Sequence, residues 1–225
     1  MTRVNTVRRF GLLIVTAAGA ACHSASSAPS APSPASAQGE AAAIAKARAD
    51  SLRYPYTAAD VHFMQGMIGH HAQALVMANM APTHGASPQV ALFCRKVLRS
   101  QADEIEMMQT WLRDRGERVP DANDPHAGMD MSMPGHMMLM PGMLSAEQLA
   151  ALDSARGTAW DRLFLVDMIQ HHEGAITMVA KLFDSPGAGQ TPEIFGYATG
   201  VDADQRAEIE RMKGMLATIT GSASK

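Results

Sequence analysis

The chain has 225 residues, 47% hydrophobic and 5% aromatic, which is enough for one or two domains with a genuine core. Its formal charge is −3; residues 1–21 hold three of the 19 basic groups and none of the 22 acids, so the remainder carries 16 against 22, or −6. An acidic body without a basic stripe argues against nucleic acid as a partner.

The first segment, residues 1–21, reads as an export signal. Arg3, Arg8 and Arg9 form its positive region, and the apolar run from Phe10 to Ala21 is too short to span a bilayer. Gly19, Ala20 and Ala21 before Cys22 resemble a bacterial lipoprotein cleavage site, although Leu is usual where Gly19 stands. Cys22 is then the lipidation site; the alternative is a plain secretory signal cut near Ala20 or Ala21. Residues 22–39 are rich in Ser, Ala and Pro and suit a disordered tether. Cys94 is the one cysteine left in the body, so no disulfide framework is expected.

Residues 40–56 predict a short lead-in helix ended by Tyr54-Pro55-Tyr56. Thr57 with Asp60 makes a capping pair for a helix running to about Met80, stopped by Pro82 and Gly85. Ser87-Pro88 opens the next, with Ser as the cap and Pro in the first turn, and Gly116 ends it. Residues 57–116 are thus a helical hairpin, and residues 117–144 are a linker. The segment 145–220 repeats the pattern: Ser145 and Gln148 start a lead-in helix, Gly157 interrupts it, Thr158 and Asp161 mirror Thr57 and Asp60, and Thr191-Pro192 mirrors Ser87-Pro88.

The repeat extends to the side chains. Asp60, Phe63, Met67, Ile68, His70, His71, Ala74 and Met77 recur as Asp161, Phe164, Met168, Ile169, His171, His172, Ala175 and Met178, each 101 residues on. Gln101, Glu104, Ile105, Glu106, Met108 and Leu112 recur as Gln205, Glu208, Ile209, Glu210, Met212 and Leu216. Eight positions in register are an internal duplication, and two hairpins predict an all-α four-helix bundle. Phe63, Met67, His70, Ala74 and Met77 follow helical spacing and form an inward stripe. Both imidazoles of each pair therefore lie on or near the buried side. Glu104 and Glu208, on inward stripes of the partner helices, need partners there, and the imidazoles are the obvious ones.

These groups allow two chemistries. Imidazole nitrogen and thioether sulfur bind soft metal ions, and Met67 and Met168 stand one turn before the His pairs. Met is also a common core filler, and a His–Glu network can be purely structural. The linker favours metal. Seven of the 18 methionines (Met129, Met131, Met133, Met137, Met138, Met140 and Met143) lie there beside His126 and His136, broken by Gly and Pro, with no helical period. Such a chain suits capture of copper or silver; a hydrophobic strap over the bundle, or a partner-binding loop, is the alternative.

The doubled Met-Ile-x-His-His motif, with the Gln-x-x-Glu-Ile-x-x-Met motif of the partner helices, resembles the domain of unknown function 305 family over about residues 54–220. That resemblance implies an exported ferritin-like four-helix bundle, with periplasmic copper binding in some members. The expectation is an exported copper-binding protein, lipid-anchored through Cys22, serving as scavenger, buffer or chaperone. It would hold Cu(I), with Cu(II) possible, through His70, His71, His171, His172, Met67, Met168 and the linker donors. Asp60, Asp161, Glu104 and Glu208 would support those ligands. A copper-handling protein is the expected partner class, and the N-terminal lipid the sole membrane contact. The alternatives are a ferritin-like redox metalloenzyme and a metal-free structural or partner-binding lipoprotein. Against the enzyme, Glu-x-x-His is missing from the paired His positions, and Glu173 is matched by Ala72.

Overall fold

The computed structural model describes residues 55–123, 129–130 and 138–222, together with Gly39, Ala42, Ala45 and Lys46, which are helical. The chain divides into Met1–Ala43 and Ile44–Lys225, and the architecture below belongs to the second unit. The expected signal, the lipidation site Cys22, nearly all of the tether and most of the lead-in helix over 40–56 lie outside the described residues.

Four long helices and one short one carry the fold: α1 Ala58–Asn79, α2 Pro88–Asp114, α3 Ala146–Ser154, α4 Gly157–Asp184 and α5 Pro192–Ser222. The linker adds a two-residue antiparallel ladder, Met129–Asp130 with Met138–Leu139, too short to form a layer. The protein is all-α. α1 packs on α2 and α4 on α5 as hairpins, and the two hairpins meet through α1 and α4.

Local chemistry explains most of the helix ends. Thr57 and Asp60 form a capping box, as do Ser145 and Gln148, each satisfying backbone donors that have no partner inside the helix. Gly116 takes φ +69°, and the Gly116 and Glu117 amides return to the Arg113 and Leu112 carbonyls, closing α2 with a Schellman turn. Two ends depart from the sequence expectation. α4 is capped at Arg156, not Thr158, because Gly157 sits at φ +58° and its amide donates to the His84 carbonyl of the other hairpin. Ser87 makes no side-chain cap; its amide donates instead to both Asp161 oxygens at 3.2 Å.

That last contact has a counterpart. Asp60 Oδ1 accepts the Gly189 amide at 2.7 Å, so each repeat's aspartate binds the loop of the opposite hairpin. These paired ties set α1 and α4 antiparallel, with α1's start beside the end of α4. The core is two apolar clusters. One gathers Phe63, Met67, Ile105, Met108, Met178 and Ile194; the other gathers Ala74, Phe93, Val97, Trp160, Phe164 and Met212. Along α1 and α4 the clusters are separated by the His pairs at the middle of the bundle.

Candidate metal centre

All four paired imidazoles are buried, none more than 1% exposed. Adjacent helix residues diverge by ~100°, and the two members of each pair use that divergence to face different neighbours. His71 and His172 turn to their hairpin partners: His71 Nε2 lies 2.7 Å from Glu104 Oε2, and His172 Nε2 lies 2.8 Å from Glu208 Oε2. His70 and His171 turn to each other across the α1–α4 contact, with ring centroids 3.8 Å apart and planes 37° apart. His171 Nε2 donates to the His70 carbonyl at 2.9 Å, and His70 Nε2 donates to the Pro141 carbonyl at 3.0 Å.

These partners fix the proton. A carbonyl or carboxylate oxygen accepts, so every Nε2 carries hydrogen. Burial drives His70 down to about 3, helped by the neighbouring His71, and holds His171 well below the ordinary range. Both are therefore neutral at pH 7, with a lone pair on Nδ1. All four Nδ1 atoms are buried without a hydrogen-bond partner. A ligating histidine usually donates its other ring N–H to a carboxylate or backbone carbonyl, and each of these four does so. Nitrogen donors of this kind fit a borderline or soft metal ion. Among the described residues, no three His, Cys, Asp or Glu side chains converge as a ready-made cage.

The remaining expected site residues fall in several places. Met67 and Met168 are fully buried one turn before the His layer, but in opposite apolar clusters. Asp60 and Asp161 lie ten residues from the first His of each pair, ~15 Å along the helix, and spend their oxygens on helix starts and the cross-hairpin amides. His126, Met131, Met133, His136 and Met137 lie outside the described residues, as do the side chains of Met129 and Met138. Met140 is buried and Met143 partly buried against the first core cluster. The linker end thus packs on the bundle, with Leu144 N and O bonded to Gln73 and Gly142 pressed against Gly174. Cys94 is buried, and desolvation pushes its thiol up to about 12, leaving it protonated and a poor ligand.

Three participants are missing from the sequence reading. Pro141 supplies the oxygen that orients His70. The Tyr197 hydroxyl lies 3.5 Å from Glu104 Oε2 and 3.2 Å from Met108 Sδ, where burial and Glu104 hold the phenol well above its ordinary range. Asp167 is buried with Oδ2 unpartnered, and desolvation raises it to about 6. The last two leave a trace in the duplication, since Tyr197 stands where repeat one has Phe93 and Asp167 where it has Gly66. Pro141 leaves none.

Comparison with known proteins places this arrangement in a family. Residues 60–216 match the model described as Domain of unknown function (DUF305), and the chain belongs to that family. A DUF305 fragment from Deinococcus radiodurans is similar at 30% identity and TM-score 0.60, over 73% of this chain and 99% of that one. A DUF305 protein from Streptomyces coelicolor is similar at 25% identity and TM-score 0.59, over 72% and 94%. CopM in its Cu(II)-bound form is similar at 30% identity and TM-score 0.54, over 71% and 96%, and CopM is also solved with Cu(I) and with silver. No curated protein shows significant similarity.

Proposed function

We propose that this DUF305 protein is an exported copper-binding protein, tethered to the cell envelope through lipid on Cys22, which scavenges, buffers or delivers copper. The observation that carries the reading is the buried histidine layer. Four imidazoles have Nε2–H committed to an oxygen and Nδ1 left without a partner. A purely structural layer would gain by satisfying those atoms, since a buried polar atom without a partner costs about 1–3 kcal/mol. His70, His71, His171 and His172 are the nitrogen donors. Met67 and Met168, with His126, Met129, Met131, Met133, His136, Met137, Met138, Met140 and Met143, supply soft donors that favour Cu(I). Imidazole also accepts Cu(II). Similarity to CopM, which is solved with Cu(I), Cu(II) and silver, supports the same ion class.

Export and anchoring are supported by the basic, apolar, small-residue order of residues 1–22. Among the described residues, no helix is long and apolar enough to cross a membrane. The test is a Cu(I) titration of the mature chain against a competing chelator. Removal of residues 124–137 is expected to lower the stoichiometry, and His70→Ala with His171→Ala to remove the bundle site. Cu(I) affinity no better than that of unrelated His-containing proteins would overturn the reading.

A further inference from the structure

The second donor set lies outside the histidine layer. A cavity of about 120 Å³ opens between the start of α1 and the end of α4, lined among others by His62, Phe63, Met140, Pro141, Met178 and Lys181. Its floor is Gly66. A Cβ at that position would stand 2.8 Å from Met140 Cε and 3.4 Å from Met178 Cε, so two thioether ends from different segments converge on one point. Neither is sealed away: Met140 is 6% and Met178 7% exposed, whereas Met67, Met77 and Met168 are at 0%. His62 is exposed on the rim.

We propose that this cavity is a soft-metal entry site, where Met140, Met178 and His62 take up Cu(I) or Ag(I) ahead of the buried imidazoles; it rests on the copper reading above and gives that reading a way in. Two sulfurs and a nitrogen favour a soft ion over hard cations. Methionine has three rotatable bonds, so both sulfurs can swing into the cavity without moving backbone. The residue after Met140 is Pro141, whose carbonyl holds His70, so the outer donor and the first inner imidazole are one residue apart in their connections. The duplication singles out this end of the bundle. Met178 is matched by the fully buried Met77, and Gly66 by Asp167, which carries a buried side chain where Gly66 has none.

The alternative is that Met140 and Met178 merely fill space, in which case leucine of similar volume should serve as well. The mature chain, labelled with 13C at the methionine methyls, is titrated with Ag(I) and separately with Cu(I) against a chelator. The Met140 and Met178 methyl resonances should shift at substoichiometric Ag(I). The double variant Met140→Leu/Met178→Leu should lose one Cu(I) equivalent or weaken it at least about tenfold, and His62→Ala should weaken the same equivalent. If the double variant does not fold, Met178→Leu and the wild-type resonances decide. Metal bound with both methyl signals unmoved, or with the leucine variant equal to wild type, overturns the entry site and leaves the copper function standing. Failure of the wild type to take either ion overturns both.

Discussion

The two hairpins repeat one another at the histidine layer and differ where the linker touches them. His71–Glu104 at 2.7 Å and His172–Glu208 at 2.8 Å are the same contact made twice. His70 and His171 are not. His171 donates to the opposite helix, at the His70 carbonyl, and His70 donates to the linker, at Pro141. A single linker lying on a twofold arrangement cannot obey the twofold, so the flanking positions diverge: Gly66 against Asp167, Gln73 against Gly174. Duplication preserved the donors, and the asymmetry records how one strap was seated across two equivalent helices.

The largest effect should come from unseating that strap. A Cβ at Gly174 would run into the Pro141 carbonyl and lie 2.6 Å from Gly142 Cα, backbone that cannot step aside cheaply. Gly174→Ala is expected to cost about 3 kcal/mol by overpacking, despite alanine's better helix propensity. Its repeat-one counterpart, Gln73→Ala, gives up two hydrogen bonds to Leu144 and should cost about 1–2 kcal/mol. Urea denaturation of the metal-free protein measures both, and the reverse ranking would mean that the strap does not bear on α4.

The aspartate ties come next. Asp60 serves a capping box and a buried 2.7 Å bond to Gly189, whereas Asp161 accepts one amide at 3.2 Å with no box. Asp60→Ala should therefore cost about 2 kcal/mol and Asp161→Ala about 1 kcal/mol in the same measurement. Equal losses would show that the cap adds nothing to the cross-hairpin bond.

Why some of this could be read in the sequence and some could not is visible at these positions. Thr57-x-x-Asp60, Ser145-x-x-Gln148 and Gly116 act through neighbours a few residues away, so local spacing revealed them, and helical periodicity placed the histidines and Glu104 and Glu208 on inward faces. Which histidine of a pair meets the glutamate depends on a ~100° turn and on the helix packed opposite, and sequence does not carry that. Thr158 misled because similarity to Thr57 hid a glycine with positive φ, fixed by the distant His84 carbonyl. The Met140–Leu144 strap has no period, and its place is set by Gly174, Gly66 and Gln73, which are informative only once the two repeats are laid side by side.

Acid should separate the two halves of the polar layer. The unfolded chain binds protons on histidine near 6.5, while native His70 resists down to about 3 and burial also holds His171 well below its ordinary range. Below pH 6.5 the unfolded state thus holds more protons, and stability falls as pH falls towards 3. Asp167 works in the opposite sense. Its native pKa of about 6 exceeds the ordinary 3.8 of an aspartate, so the folded state holds the extra proton between those values and its cost appears as pH rises through that window. Asp167→Asn should stabilise the metal-free protein by about 2–3 kcal/mol at pH 7 and leave it unchanged below pH 4. Chemical denaturation at a series of pH values gives the answer, and a variant with an unaltered slope between pH 4 and 6 would remove Asp167 from the account.

The smallest change restores symmetry at the hairpin partners. Tyr197→Phe places in repeat two the residue that repeat one has at Phe93. It removes a long 3.5 Å contact to Glu104 and a 3.2 Å contact to Met108 Sδ, and keeps the ring's packing beside Phe63. The stability loss should stay within about 1 kcal/mol. Without the phenol, the Glu104 carboxylate is left to His71 as Glu208 is left to His172, and the two Glu–His pairs should become alike. The measurement is the 15N chemical shift of the His71 and His172 ring nitrogens, distinct in the wild type and converging in the variant. If the His71 resonances do not move, Tyr197 fills space beside Glu104 without tuning it, and the difference between the hairpins is confined to the strap.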